Sequence, residues 1–309
     1  MSPVRSLALI ACLVAWSFGC RKGSEALAAQ AKAAGATRQR QVEQRIAEAD
    51  ANPTKALPLA MWLMPPELHE ISGLALTSRG TVLTHDDNVG RVYEIDPKTG
   101  ILLKAFSLSG NPRGDFESIA IAGSDIYLMT SNGKLFRFKE GADAQHVPYA
   151  MFDTGLGKQC ELESLTYEAD SSRLVMACKR NLNKSAPHQL VIYRFPLPLT
   201  SPSSASMITI PIGEVAGSNH WKNFHASDMT IDPATGNYVI IASHEKALAV
   251  ITPDGDVVRS EPLPGDHRQP EGVAITRDSI LLVSDEVNVK PAAITLYRWR
   301  PNAQPKKTP

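Results

Sequence analysis

The chain has 309 residues, 43% of them hydrophobic and 21% charged, with 32 basic and 32 acidic side chains. That composition excludes wholesale disorder, a collagen-like fibre and a multi-span membrane protein. A formal charge of zero gives no general pull toward nucleic acid, so none is expected as a partner. The 22 prolines and 20 glycines, spread along the chain, point to many short strands and turns.

Residues 1–20 read as an export signal. Arg5 supplies the positive start, and Leu7 to Phe18 form an apolar stretch of twelve residues. That is shorter than the roughly 20 residues a bilayer span needs. The stretch ends Ser17-Phe18-Gly19-Cys20, and a small residue before a cysteine resembles a bacterial lipobox, with Ser17 where leucine is usual. Lipidation at Cys20 is expected, which would anchor the protein to a membrane facing the periplasm. An ordinary cleaved signal is the alternative. Arg21 lacks the aspartate that retains such proteins at the inner membrane, so the outer membrane is favoured if the source is Gram-negative.

Residues 21–56 are rich in Ala, Gln, Glu and Arg, with Gly35 among them and no wide apolar stripe. A partly helical or disordered tether is expected there. The globular part is expected over 57–302, with 303–309 a polar tail.

Five segments then repeat: Ser72-Gly-Leu-Ala-Leu-Thr77, Glu117-Ser-Ile-Ala-Ile-Ala122, Glu163-Ser-Leu-Thr-Tyr-Glu168, Ser227-Asp-Met-Thr-Ile-Asp232 and Glu271-Gly-Val-Ala-Ile-Thr276. Their first positions lie 45, 46, 64 and 44 residues apart, and each is followed by a second and a third apolar strand. A unit of about 45 residues with three or four strands is the mark of a β-propeller blade. An all-β, five-bladed propeller is therefore expected, six blades being the alternative if the 64-residue interval hides one. Leu57 to Met64 would supply the missing strand of the last blade and so close the ring.

Cys160 and Cys178 flank the hairpin that opens the third unit. The start of one antiparallel strand lies beside the end of the next, so an exported protein would join them in a disulfide. Two unpaired thiols are the alternative.

The first strand of each blade is innermost, so equivalent positions face one channel. They read Ser72, Glu117, Glu163, Ser227 and Glu271; two residues earlier stand Glu70, Asp115, Glu161, His225 and Gln269, and Asp228 adds a carboxylate. Glu117, Glu163 and Glu271 would repel unless protons or a cation neutralise them. Hard oxygen donors suit Ca²⁺ better than zinc. Glu70, Asp115, Glu161, His225 and Asp228 are candidate rim residues. A water-filled acidic channel is the alternative. Asp86-Asp87-Asn88 reads as an ordinary turn. His220, Trp221, Phe224 and His225 form either a ligand-stacking loop or one packed against the rim. No Gly-x-Ser-x-Gly, P-loop or His-Glu-x-x-His motif occurs, and no catalytic residue stands out.

The motifs Asp115-Phe-Glu-Ser-Ile-Ala120, Glu161-Leu-Glu-Ser-Leu165 and Gln269-Pro-Glu-Gly-Val-Ala274 resemble those of the SdiA-regulated family of bacterial envelope proteins. The resemblance spans roughly 68–300 and implies an envelope β-propeller with calcium at its axis. Glu117, Glu163 and Glu271 match the family's acidic positions, and Ser118 stands where its second motif usually has glycine. Two functions follow as expectations: a lipid-anchored module that binds a small ligand or envelope protein, or a calcium-dependent hydrolase of a phosphoester, lactone or ester.

Overall fold

A computed structural model describes residues 29–53, 57–183, 187–201 and 204–301. The export signal, Cys20 and the tail after 301 lie outside the described residues. Helix α1 covers 29–51, and strand β1 (Pro58–Leu63) follows it.

Five antiparallel sheets then form in chain order. The first holds β2 (Ile71–Leu76), β3 (Val82–Asp86), β4 (Arg91–Asp96) and β5 (Ile101–Leu108). The second holds β6 (Phe116–Ala122), β7 (Asp125–Thr130), β8 (Lys134–Phe138) and β10 (Tyr149–Asp153); on the way, β9 (His146–Val147) crosses to pair in parallel with β5. The third comprises β11 (Cys160–Glu168), β12 (Arg173–Asn181), β13 (Gln189–Pro196) and β14 (Ser206–Pro211). The fourth comprises β15 (Ala226–Ile231), β16 (Tyr238–Ala242), β17 (Ala247–Ile251) and β18 (Val257–Pro262). The fifth contains β19 (Pro270–Ile275), β20 (Ile280–Asp285) and β21 (Ala293–Arg298), and β1 pairs with β21 as its outer strand. The innermost strands β2, β6, β11, β15 and β19 pack neighbour to neighbour around the axis and back to the start. The protein is a five-bladed β-propeller closed by its N-terminal strand. Among the described residues the 64-residue interval contains no sixth blade, and the short helix α2 (Ile212–Ala216) lies within it.

The fourth blade buries both faces, so its middle strands β16 and β17 are apolar throughout rather than alternating. On β16, Tyr238, Ile240 and Ala242 enter the seam with the third blade, while Val239 and Ile241 enter the seam with the fifth. One apolar cluster fills each of the five seams. At roughly 1.5–3 kcal/mol for each large side chain withdrawn from water, these seams supply most of the adhesion between blades.

Helix α1 is docked rather than free. Val42 is 1% exposed in the seam between the fifth and first blades, with Ile46 and Ala49 packed beside it. These three positions make a narrow stripe, sufficient because the seam needs only one ridge. Arg298 Nε meets Asp50 at 2.7 Å, and Arg38 donates to the Thr99 carbonyl at 3.1 Å. Gly35 lies inside the helix, facing Ile101 at a distance that leaves little room for a side chain.

One buried group carries a measurable cost. His85 on β3 is fully enclosed and its Nε2 has no partner among the described residues. Burial lowers its imidazole from 6.5 to about 4. The unfolded chain therefore takes up a proton near 6.5 that the folded protein refuses until about 4, so stability is full above 6.5 and falls across that window. Replacing His85→Leu is expected to remove about 2–3 kcal/mol of the loss between pH 7 and 4.5, read from urea midpoints at the two pH values.

Candidate functional site

The five aligned positions share a local geometry that explains their convergence. Each inner strand skips a register step against its partner at that point: between Ile71 and Leu74, Phe116 and Ser118, Leu162 and Ser164, Ala226 and Asp228, and Pro270 and Gly272. The unpaired residues are Ser72 with Gly73, Glu117, Glu163, Ser227 and Glu271. A β-bulge leaves its extra residue out of the ladder and re-aims its side chain. On β12 a matching irregularity leaves Lys179 unpaired between Cys178 and Arg180.

The serines of these bulges latch neighbouring blades. Ser72 Oγ donates to the Glu117 carbonyl at 2.8 Å, and Ser227 Oγ donates to the Pro270 carbonyl at 2.9 Å. Ser284 donates to the Ser72 carbonyl at 3.1 Å, returning the chain of latches to the first blade. Close approach requires glycine here: a Cβ on Gly73 would stand 2.8 Å from Ser118 Cα, and one on Gly272 would stand 2.5 Å from the Ser72 carbonyl.

Asp228 does not belong to the rim. It is wholly buried, accepting from Ser118 Oγ at 2.8 Å, from the Val273 amide at 2.8 Å and from the Leu74 amide at 3.3 Å. It thus ties the fourth blade to the second, fifth and first. Burial pushes its carboxyl up to about 7, against the pull of these donors. A group so enclosed cannot reach a substrate, which removes it as a candidate base.

The three glutamates stand within one another's field, as their bulges place them. The Glu117 carboxyl is pushed up to about 10, first by burial and then by the charges of Glu163 and Asp115, with Glu271 adding to them. Glu163 is raised to about 8 by burial and by Glu271, although Lys179 Nζ binds its Oε1 at 2.5 Å. Glu271 is raised by burial, with Lys179 and the hydroxyl of Ser243 at 3.3 Å opposing. Burial works against the Lys179 ammonium, yet Glu163, Glu271 and Glu117 hold it above its usual value. An ammonium among the three carboxylates was not expected from the sequence, where Lys179 is one basic residue in an unremarkable strand.

Beside this centre, from the first, second and fifth blades, comes a second acidic group. Asp87 is pushed up to about 7 by burial and then by Glu70, Asp86 and Asp115. Glu286 is pushed up to about 9 by burial and by a hydrogen bond and charge from Glu70. The Asp86-Asp87-Asn88 segment is a turn, as expected, with Asp86 Oδ1 accepting from the Asn88 amide at 2.8 Å and the Val89 amide at 3.1 Å. Its second aspartate nevertheless stands in the field of the rim carboxylates Glu70 and Asp115.

The other rim candidates lie where the repeat put them. Asp115 accepts from Ser131 Oγ at 2.6 Å, and Glu161 pairs with the exposed Arg180 at 2.5 Å. His225 is held by Glu245, whose Oε1 meets Nδ1 at 2.7 Å while Oε2 accepts the His225 amide at 3.0 Å. Gln269 bonds Glu286. Phe224 is buried with Trp221 against the seam between the third and fourth blades, so that part of the loop is packed rather than open. The disulfide is present: Cys160 and Cys178 are joined with Cα atoms 5.5 Å apart. It staples the strand ends that carry Glu161, Glu163, Lys179 and Arg180.

For a divalent cation, the donor chemistry fits: buried carboxylate oxygens short of positive charge suit Ca²⁺. Lys179 already holds one of these carboxylates, Glu163, at 2.5 Å. Among the described residues no three His, Cys, Asp or Glu side chains stand grouped as a metal cage. An ion entering here would have to displace Lys179 from Glu163.

No family model matches the sequence, and no curated protein matches it either. Solved structures do. Myxococcus xanthus glutaminyl cyclase is similar at 13% identity with a TM-score of 0.52, over 78% of this chain and 95% of that one. The PQQ-bound aldose sugar dehydrogenase of Streptomyces coelicolor is similar at 13% identity and 0.52, over 79% and 98%. The likeness shows the fold alone. Propellers of this build carry unrelated sites, so what this one does rests on its own residues.

Proposed function

We propose that this chain is an exported, lipid-anchored envelope protein of the SdiA-regulated type, whose acidic axial mouth takes a calcium ion and through it a ligand or envelope partner. The observation that carries the reading is the convergence of three bulge glutamates on a single ammonium. One positive charge does not neutralise Glu117, Glu163 and Glu271 together, and the push of Glu117 up to about 10 and of Glu163 up to about 8 supports protons making up the difference. A dication would replace those protons with one hard charge, held by Glu117, Glu163 and Glu271. The anchor at Cys20 and the periplasmic setting rest on the sequence motif, and the disulfide is consistent with an oxidising compartment.

The sign of the pH dependence follows. Carboxyls that hold protons at neutral pH must release them to bind the ion, so affinity for Ca²⁺ is expected to rise between pH 6 and 9. The double variant Glu117→Gln, Glu271→Gln is expected to weaken calcium binding at least about a hundredfold, since each lost charge-assisted contact contributes on the order of 1.5–3 kcal/mol. Unchanged affinity in that variant, measured by calorimetry, would remove the axial site.

The His225–Glu245 pair favours a second reading, a calcium-dependent hydrolase of a phosphoester, lactone or ester. A carboxylate on Nδ1 fixes the imidazole's tautomer and leaves Nε2 to accept a proton, as a general base requires. Turnover of such an ester that disappears in His225→Gln while calcium still binds would establish this reading.

A further inference from the structure

A second polar site lies away from the axis. Where β9 crosses to the first blade, β4, β5 and β9 run side by side, and their register sets Arg91 opposite Ser107 and Ser107 opposite His146. Adjacent strands are about 4.8 Å apart, so a guanidinium, a hydroxyl and an imidazole form a row roughly 10 Å long. Arg113 and Asn111 arrive from the next loop, tied in by the bridge between Val89 and Arg113. Together they border a groove of about 440 Å³ with Phe106 on its wall.

Two features set this groove apart. Several arginines of the described residues are spent on carboxylates: Arg79 on Glu94 and Glu140, Arg180 on Glu161, Arg298 on Asp50. The side chains of Arg91 and Arg113 have no ion-pair or hydrogen-bond partner among the described residues. Arg91 lies over the Tyr93 ring at 5.1 Å, which orients the guanidinium without neutralising it. The backbone is also held in an unusual shape on either side, with non-glycine residues Asn111 and Ala144 at φ 46° and 59°. The Ala144 amide is fixed to the Ala105 carbonyl at 2.7 Å.

We propose that this groove binds a phosphate-type oxyanion, the two arginines clamping its oxygens while Ser107, His146 and Asn111 complete the shell. Planar guanidinium forks match such oxygens, and a pre-formed groove lowers the cost of binding. The site is independent of the calcium reading, and the same phosphate chemistry is offered by a soluble phosphate ester or by an anionic lipid headgroup.

The test uses the full chain carrying Cys20→Ala, so that no attached lipid contributes, with chelator present to keep metals from bridging. Inorganic phosphate is titrated by calorimetry at constant ionic strength. Flotation with phosphatidylglycerol vesicles is compared with flotation on phosphatidylcholine vesicles. Arg91→Gln with Arg113→Gln is expected to weaken phosphate binding at least about tenfold without moving the melting temperature, because both side chains are exposed. Arg91→Lys with Arg113→Lys, which keeps the charge, is expected to retain part of the affinity and guards against a folding artefact. Phosphate binding lost in the glutamine variant supports a soluble oxyanion. Binding to anionic vesicles alone, lost in the same variant, supports the headgroup. Absence of both, or binding indifferent to the glutamine variant, overturns the proposal.

Discussion

Replacing Asp228→Ala is expected to cost about 3–6 kcal/mol, the largest effect of any single substitution considered. Three donors from three other blades converge on this carboxylate: Ser118 Oγ, the Val273 amide and the Leu74 amide. The position is wholly buried, so water cannot replace the missing acceptor. Each stranded donor costs on the order of 1–3 kcal/mol. Because the donors lie on the inner strands of the first, second and fifth blades, the damage falls on the ring as a whole. Denaturant unfolding is expected to show a lower midpoint with one cooperative transition. Asp228→Asn, which keeps one acceptor oxygen and sets an amide against backbone N–H groups, is expected to recover at most part of the loss. A variant as stable as the parent would show that the ring does not depend on this tie.

The second large effect is expected at Lys179. Lys179→Met keeps the length and apolar stem of the side chain but removes its ammonium, leaving Glu163, 4% exposed, without its counter-charge. Breaking a buried pair from one side costs about 3–5 kcal/mol when the remaining group stays charged. Glu163 can take up a proton, so the loss is expected to be small at pH 6 and to grow toward pH 9. Calcium acts in the opposite sense. With the competing ammonium gone, Ca²⁺ affinity is expected to rise at least about tenfold, and saturating calcium should restore most of the lost stability. Parallel melts at several pH values, with calcium and with chelator, read both effects. A Lys179→Met variant with unchanged stability and unchanged calcium affinity would mean that the ammonium is not the site's resident cation.

Much of this architecture is legible in the sequence because blades repeat. The five Ser/Glu positions align without gaps, and the alignment alone places Glu117, Glu163 and Glu271 at one channel. β1 as the closing strand follows from the need to pair an open edge. The sequence says less about what repetition does not govern. Lys179 occurs in one blade only, so no pattern marks it, and its role depends on an irregularity in β12 that a register alone creates. Asp228 is one residue past its bulge position, and that single step turns its carboxylate from the mouth into the wall. The seam-packing of α1 rests on Val42, Ile46 and Ala49, too narrow a stripe to distinguish a docked helix from a spacer. Arg91, Ser107 and His146 are distant in the chain and meet only because β9 crosses from the second blade to the first.

The proposed function stands on an exchange of protons for calcium at the axial carboxylates. Calorimetric titration of Ca²⁺ into the protein at pH 8, in two buffers of different ionisation heat, tests it most directly. Saturable binding with protons released is expected, and its loss in Glu117→Gln with Glu271→Gln. An absence of binding, or binding that releases no protons and ignores those two glutamates, would contradict it.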